Sequence, residues 1–92
     1  FMTKALIINP RDNVAVVLAE VKAGTAVEVT TAEGTIVIAA REDIRFGHKI
    51  ALRELAADEP VIKYGEEIGQ ARTIINIGDW VHLHNLDCRR GH

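Results

Sequence analysis

Two histidines one residue apart, His82 and His84, stand in the run Trp80-Val81-His82-Leu83-His84-Asn85-Leu86 near the carboxyl end of the chain. As a strand, that run sends Trp80, His82 and His84 to one face and Val81 and Leu83 to the other. Two neutral imidazoles about 6–7 Å apart suit a shared metal ion or an anionic substrate. The same spacing also suits two solvent-facing side chains opposite an apolar core. A third ligand would have to come from elsewhere. His48 in Gly47-His48-Lys49 is a candidate, because a glycine before it lets the backbone approach closely; a surface-turn histidine is the plainer reading. Lys63-Tyr64-Gly65 offers a cation for a carboxylate and a phenol for a hydrogen bond, or an ordinary strand end. Asp12-Asn13 caps a turn or contacts a polyhydroxylated ligand, and Asn85 is equally ambiguous. Cys88 is the one cysteine. It is open to reading as a metal ligand or a nucleophile, more commonly neither, and no internal disulfide can form, which points to a reducing compartment.

Ninety-two residues allow one domain with one core. Such a chain buries roughly 60–65% of the surface its unfolded form exposes, so a partner surface would help it. The formal charge of −2 and the 4% of aromatic residues provide neither a basic footprint nor a stacking platform for nucleic acid. No run approaches the ~20 apolar residues of a membrane span and no secretion signal opens the chain, so a cytoplasmic protein is expected. Phe1 ahead of Met2 and the terminal Gly91-His92 read as residues added for expression.

The residues just singled out must be positioned by short β-branched runs cut by turn residues. Strands are predicted over 5–8, 14–18, 26–31, 35–39, 50–52, 61–64, 71–77 and 80–86, with a helical turn over 53–57. In residues 26–31, Val27 and Val29 alternate with Glu28 and Thr30 as in a half-buried strand. The first half reads as a small β-meander, and no internal repeat is strong enough to predict a solenoid. No Gly-rich phosphate loop, nucleophile elbow or paired-cysteine zinc site is present.

Taken together, Asp12-Asn13-Val14-Ala15, Gly47-His48-Lys49-Ile50-Ala51-Leu52, Val61-Ile62-Lys63-Tyr64-Gly65, Ile68-Gly69 and Val81-His82-Leu83-His84-Asn85-Leu86 resemble, in this order, the altronate and galactarate dehydratases. The likeness runs from about residue 8 to residue 86. It implies an all-β fold, a small β-clip (SAF-type) domain of short strands with at most one or two helical turns. It also implies a role in removing water, or sulfite in the related sulfolactate sulfo-lyases, from a hydroxylated carboxylic acid. A large catalytic subunit or domain would complete the site, so the chain is expected to be inactive alone, as a natural small subunit or an excised domain. A homo-oligomer is compatible with its size. The resemblance brings a divalent ion (Fe2+, Mn2+ or Zn2+) held mainly in the complete enzyme. His48, His82 and His84 are then candidates for metal binding or proton transfer. Lys49, Lys63 and Tyr64 would shape the acid-binding cleft, with Asp12, Asn13 and Asn85 around it. Asp87-Cys88-Arg89-Arg90 has no clear counterpart in that pattern, which leaves Cys88 without an implied role. The alternatives are a non-catalytic module that binds a sugar acid or a protein, and a purely structural piece.

Overall fold

The computed structural model describes residues 3–88, and no helix occurs among them. Nine strands follow in order: β1 (Thr3–Leu6), β2 (Val14–Val17), β3 (Ala26–Thr31), β4 (Gly34–Ala39), β5 (Lys49–Ala51), β6 (Pro60–Lys63), β7 (Glu66–Ala71), β8 (Trp80–Val81) and β9 (Leu86–Asp87). They form a six-stranded sheet, β4-β3-β1-β2-β5-β8, and a three-stranded one, β6-β7-β9. This is the small all-β domain expected.

The first half is not a meander. β1 lies between β2, to which it is antiparallel, and β3, to which it is parallel. A parallel neighbour cannot be reached by a tight hairpin, so the chain crosses from β2 through residues 18–25 to the far side of β1. The β3–β4 hairpin follows the sequence closely: Val27 and Val29 are fully buried, and the loop is the two residues Ala32-Glu33. The Thr31 hydroxyl closes it by donating to the Gly34 carbonyl at 2.8 Å.

One local device recurs four times. After each of the buried residues Val21, Ile44, Leu55 and Ile75, the chain makes a turn in which an N–H returns to the carbonyl three residues back. The pairs are Thr25 to Lys22, His48 to Arg45, Glu59 to Ala56 and Asp79 to Asn76. The third turn position has positive φ in every case: Gly24 (85°), Gly47 (83°), Asp58 (70°) and Gly78 (89°). That is the requirement of a type II turn, and glycine meets it without a Cβ clash. The buried residues pair two by two, Val21 with Ile44 and Leu55 with Ile75, through reciprocal backbone bonds of 2.8–2.9 Å. Each plugs the core while the turn behind it redirects the chain.

This device displaces the helical turn expected over 53–57. Leu55 spends its N–H and C=O on Ile75, so neither is available to an i, i+4 helical bond. Glu59 then clamps the turn, accepting from the Ala56 N–H at 3.0 Å and pairing with the Arg53 guanidinium at 2.6 Å. The strand expected over 71–77 is also displaced. β7 ends at Ala71, and Gly69 lies inside it, where a Cβ would stand 2.3 Å from the Asp87 carbonyl oxygen of β9. Residues 72–79 belong to the last of the four turn units.

Two apolar clusters make the core. One gathers Ala5, Ala15, Val17, Val21, Val27, Val29, Ile38, Ala40, Ile44 and Ile50. The other gathers Val14, Ala51, Leu55, Val61, Ala71, Ile75, Val81 and Leu86. Alternation along β2 and β5 sends Val14 and Ala51 into the second cluster and their neighbours Ala15 and Ile50 into the first.

Candidate functional site

The run 80–86 is not one strand. β8 is only Trp80–Val81, and the chain then turns before β9 joins the other sheet. Asn85 makes that turn: its Oδ1 accepts from the His82 N–H and its Nδ2 donates to the Trp80 carbonyl, both at 2.9 Å. The imidazoles come together all the same, because they gather around the indole instead of lining a strand face. Trp80 opens β8 opposite Ile50 of β5. The turn carrying Gly47 delivers His48 just before β5, and His82 and His84 leave the far end of β8.

Trp80 is the hub. Its Nε1–H donates to His48 Nδ1 at 3.1 Å. Its ring stacks on that of His82 (centroids 5.2 Å, planes 11° apart) and meets that of His84 at 4.8 Å. The His48 and His82 rings are themselves 4.8 Å apart. The backbone N–H of Trp80 donates to the Glu42 carboxylate at 3.0 Å. Sequence reasoning placed Trp80 beside the histidines but gave it no role, and it missed Glu42. A single tryptophan flanking His-x-His was the available signal for the first.

Lys49, next to His48, is half-buried. Desolvation, and then the charge of Lys63, hold its pKa below the usual lysine value, while Cys88 pulls the other way. His82 is likewise held below the ordinary histidine value, by desolvation first and then by His48, Lys49 and His84. These shifts favour the neutral imidazole of His82. No carboxylate appears among the groups that shift Lys49 or His82. His48, Lys49, Lys63 and His82 thus form an electrostatically coupled group of cations and donors, a combination suited to an anion.

The remaining candidates divide. Lys63 reaches Lys49 electrostatically and also lies 4.8 Å from the Tyr64 ring centroid. Tyr64 is exposed at the tip of the β6–β7 hairpin, with φ of 56°. Asp12, Asn13 and Asn85 are buried, and their side chains bond to backbone. Asp12 accepts from the N–H groups of Ile8, Asn9 and Gly65. Asn13 Oδ1 accepts from the Ile62 N–H at 2.7 Å, and its Nδ2 donates to the Pro60 carbonyl at 3.0 Å. They fasten the loop before β2 to β6 and its hairpin. Cys88 is exposed. Among the described residues, no group of three or more His, Cys, Asp or Glu is placed to hold a metal ion. The imidazoles around Trp80 pack ring against ring.

Two outcomes follow from these fastenings. Asn13→Ala is expected to destabilise the chain by about 1–2 kcal/mol in urea unfolding, because it removes two part-buried bonds, from the Ile62 N–H and to the Pro60 carbonyl. For Asp12, desolvation raises the pKa, but bonds from the backbone of Gly65, Asn9, Ile8 and Tyr64 outweigh it and hold the carboxyl below its usual range. A depressed carboxylate stabilises fully above its unfolded pKa of about 3.9, and that stabilisation is lost as pH falls through the lower folded value. Asp12→Asn should flatten this acid limb in a series of urea midpoints against pH.

The family model described as the Altronate/galactarate dehydratase SAF domain matches residues 3–89. The chain is 45% identical over 78 residues to an altronate dehydratase of Escherichia coli (strain K12), covering 85% of this chain and 15% of that protein. It is 40% identical over 82 residues to a (2R)-sulfolactate sulfo-lyase subunit alpha of Chromohalobacter salexigens, covering 86% of this chain and 87% of that subunit. A galactarate dehydratase (L-threo-forming) of Escherichia coli (strain K12) is 37% identical over 76 residues, with 80% and 13% covered. The chain therefore spans a small fraction of the two dehydratases and most of the sulfo-lyase subunit.

Proposed function

The chain belongs to the altronate/galactarate dehydratase SAF domain family, and from that premise we propose that it is the accessory β-domain or small subunit of a lyase acting on a hydroxylated carboxylic acid. A large catalytic partner would complete the site. The observation that carries this reading is the coupled group of His48, Lys49, Lys63 and His82. Elimination from a hydroxy acid removes the proton alpha to the carboxylate and expels hydroxide, or sulfite in the sulfo-lyase reaction. Lys49 and Lys63 attract the substrate carboxylate. Neutral His82 accepts a proton. Trp80 and Asn85 hold these groups in register.

A divalent ion would supply Lewis-acid assistance to the leaving group. It would be bound mainly in the complete enzyme. Purified chain should turn over neither altronate, galactarate nor sulfolactate, and addition of the catalytic partner should produce a complex that consumes one of them. A partner as active without the chain as with it would overturn the reading. A binding module without catalysis would instead show sugar-acid affinity by calorimetry with no partner present.

A further inference from the structure

We propose that Trp80 is a positioning residue that locks His48 as its Nε2–H tautomer, so that His48 meets the acid as a hydrogen-bond donor and not as a metal ligand or proton acceptor. The reference to the acid rests on the lyase reading above; the tautomer itself does not.

The indole Nε1–H can only donate. It points at His48 Nδ1 from 3.1 Å, so that nitrogen presents its lone pair to the indole and carries no proton. A neutral imidazole has one N–H, which must then be on Nε2. Metal coordination needs a ring lone pair. The Nδ1 pair is engaged by the indole, and the Nε2 pair is replaced by a bond to hydrogen. Coordination through Nε2 would require the proton to move to Nδ1, setting one N–H against another and leaving the half-buried indole without an acceptor. A proton acceptor at Nε2 meets the same obstacle.

Neither ring can easily turn away. Trp80 is held by the Glu42 carboxylate on its N–H, by Asn85 on its carbonyl and by pairing with Ile50. The His82 ring covers the indole face. The His48 N–H donates to the Arg45 carbonyl at 3.0 Å and its own carbonyl accepts from Val17 at 2.9 Å. The three histidines thereby divide their roles. His48 is a fixed donor beside the Lys49 ammonium. His82, with no ring nitrogen in a hydrogen bond among the described residues, keeps a lone pair for a proton.

The test is a long-range proton–nitrogen correlation spectrum of the nitrogen-15-labelled chain, which reports the tautomer of each ring. His48 is expected as Nε2–H, with a scalar coupling between its Nδ1 and the indole Nε1 across the hydrogen bond. Added Zn2+ should leave its ring resonances in place. Trp80→Phe keeps a ring for stacking and removes the donor, so His48 should become a mixture of tautomers. An Nδ1–H tautomer, or His48 ring resonances that move with the first equivalent of Zn2+, would overturn the proposal. The wild-type spectrum decides even if Trp80→Phe fails to fold. No partner is needed, so a failure here is distinct from a failure of the lyase reading.

Discussion

Replacing Gly78 with alanine is expected to destabilise the chain by about 3–4 kcal/mol, on the order of 15 °C in Tm for a domain of this size. Two costs combine. The backbone has φ of +89°, where a side chain is strained by roughly 1–2 kcal/mol. The new Cβ would also stand 2.2 Å from the Ala39 carbonyl oxygen, which is backbone and cannot swing aside. Both strands of chain are tied at that point: Gly78 donates to Ala51 and accepts from Arg41. Gly47 provides the control. It has nearly the same φ, 83°, but nothing lies within 4 Å of its Cβ position. Gly47→Ala should therefore lose only the strain, about 1–2 kcal/mol. Thermal unfolding followed by circular dichroism reads both variants, and equal losses would show that the Ala39 contact is not what sets the cost.

Lys49→Met, in the complex with the catalytic partner, is expected to lower kcat/KM by a factor of about 100–1000, or roughly 3–4 kcal/mol of transition-state stabilisation. Methionine preserves the half-buried stem and deletes the ammonium, so packing survives while charge does not. The effect should fall on carboxylate recognition and is read in steady-state kinetics. A second readout needs no partner. The Lys49 charge is one of the groups that disfavour the His82 imidazolium, so deleting it must move the His82 midpoint upward in an NMR titration. A raised His82 midpoint with unchanged kcat/KM would leave the electrostatics correct and remove this face from the acid site.

The sequence was most legible where one face of a strand is buried. The Val27 and Val29 alternation could be read directly, since it depends on nearest neighbours. Long-range pairing was not legible. Nothing local in 53–57 announces that Leu55 is bonded to Ile75, and without that knowledge a helical turn is the natural reading. The fourfold turn escaped notice for a related reason: Val21, Ile44, Leu55 and Ile75 are unevenly spaced, and Asp58 stands where the other three copies have glycine. At the candidate site the grouping of Trp80, His82 and His84 was right and its cause was wrong. Strand alternation was assumed, whereas an Asn85-closed turn around an indole gathers the rings. Chemistry-bearing residues were thus easier to find than the bonds that aim them. The family pattern flagged Asp12, Asn13 and Asn85, and the structure shows them fastening backbone.

The sharing of β2 and β5 between the two apolar clusters bears on how the domain comes apart. Loosening either cluster strips one face from the same pair of strands, so neither half can open while the other stays shut. Hydrogen exchange in the middle of β2 and β5 should proceed only through global opening, at one common free energy, with the outlying β4 and the three-stranded sheet exchanging sooner through local fraying. Lys49 opens β5, one strand of that shared pair, which sets the residue proposed to meet the substrate beside the part of the molecule expected to open last.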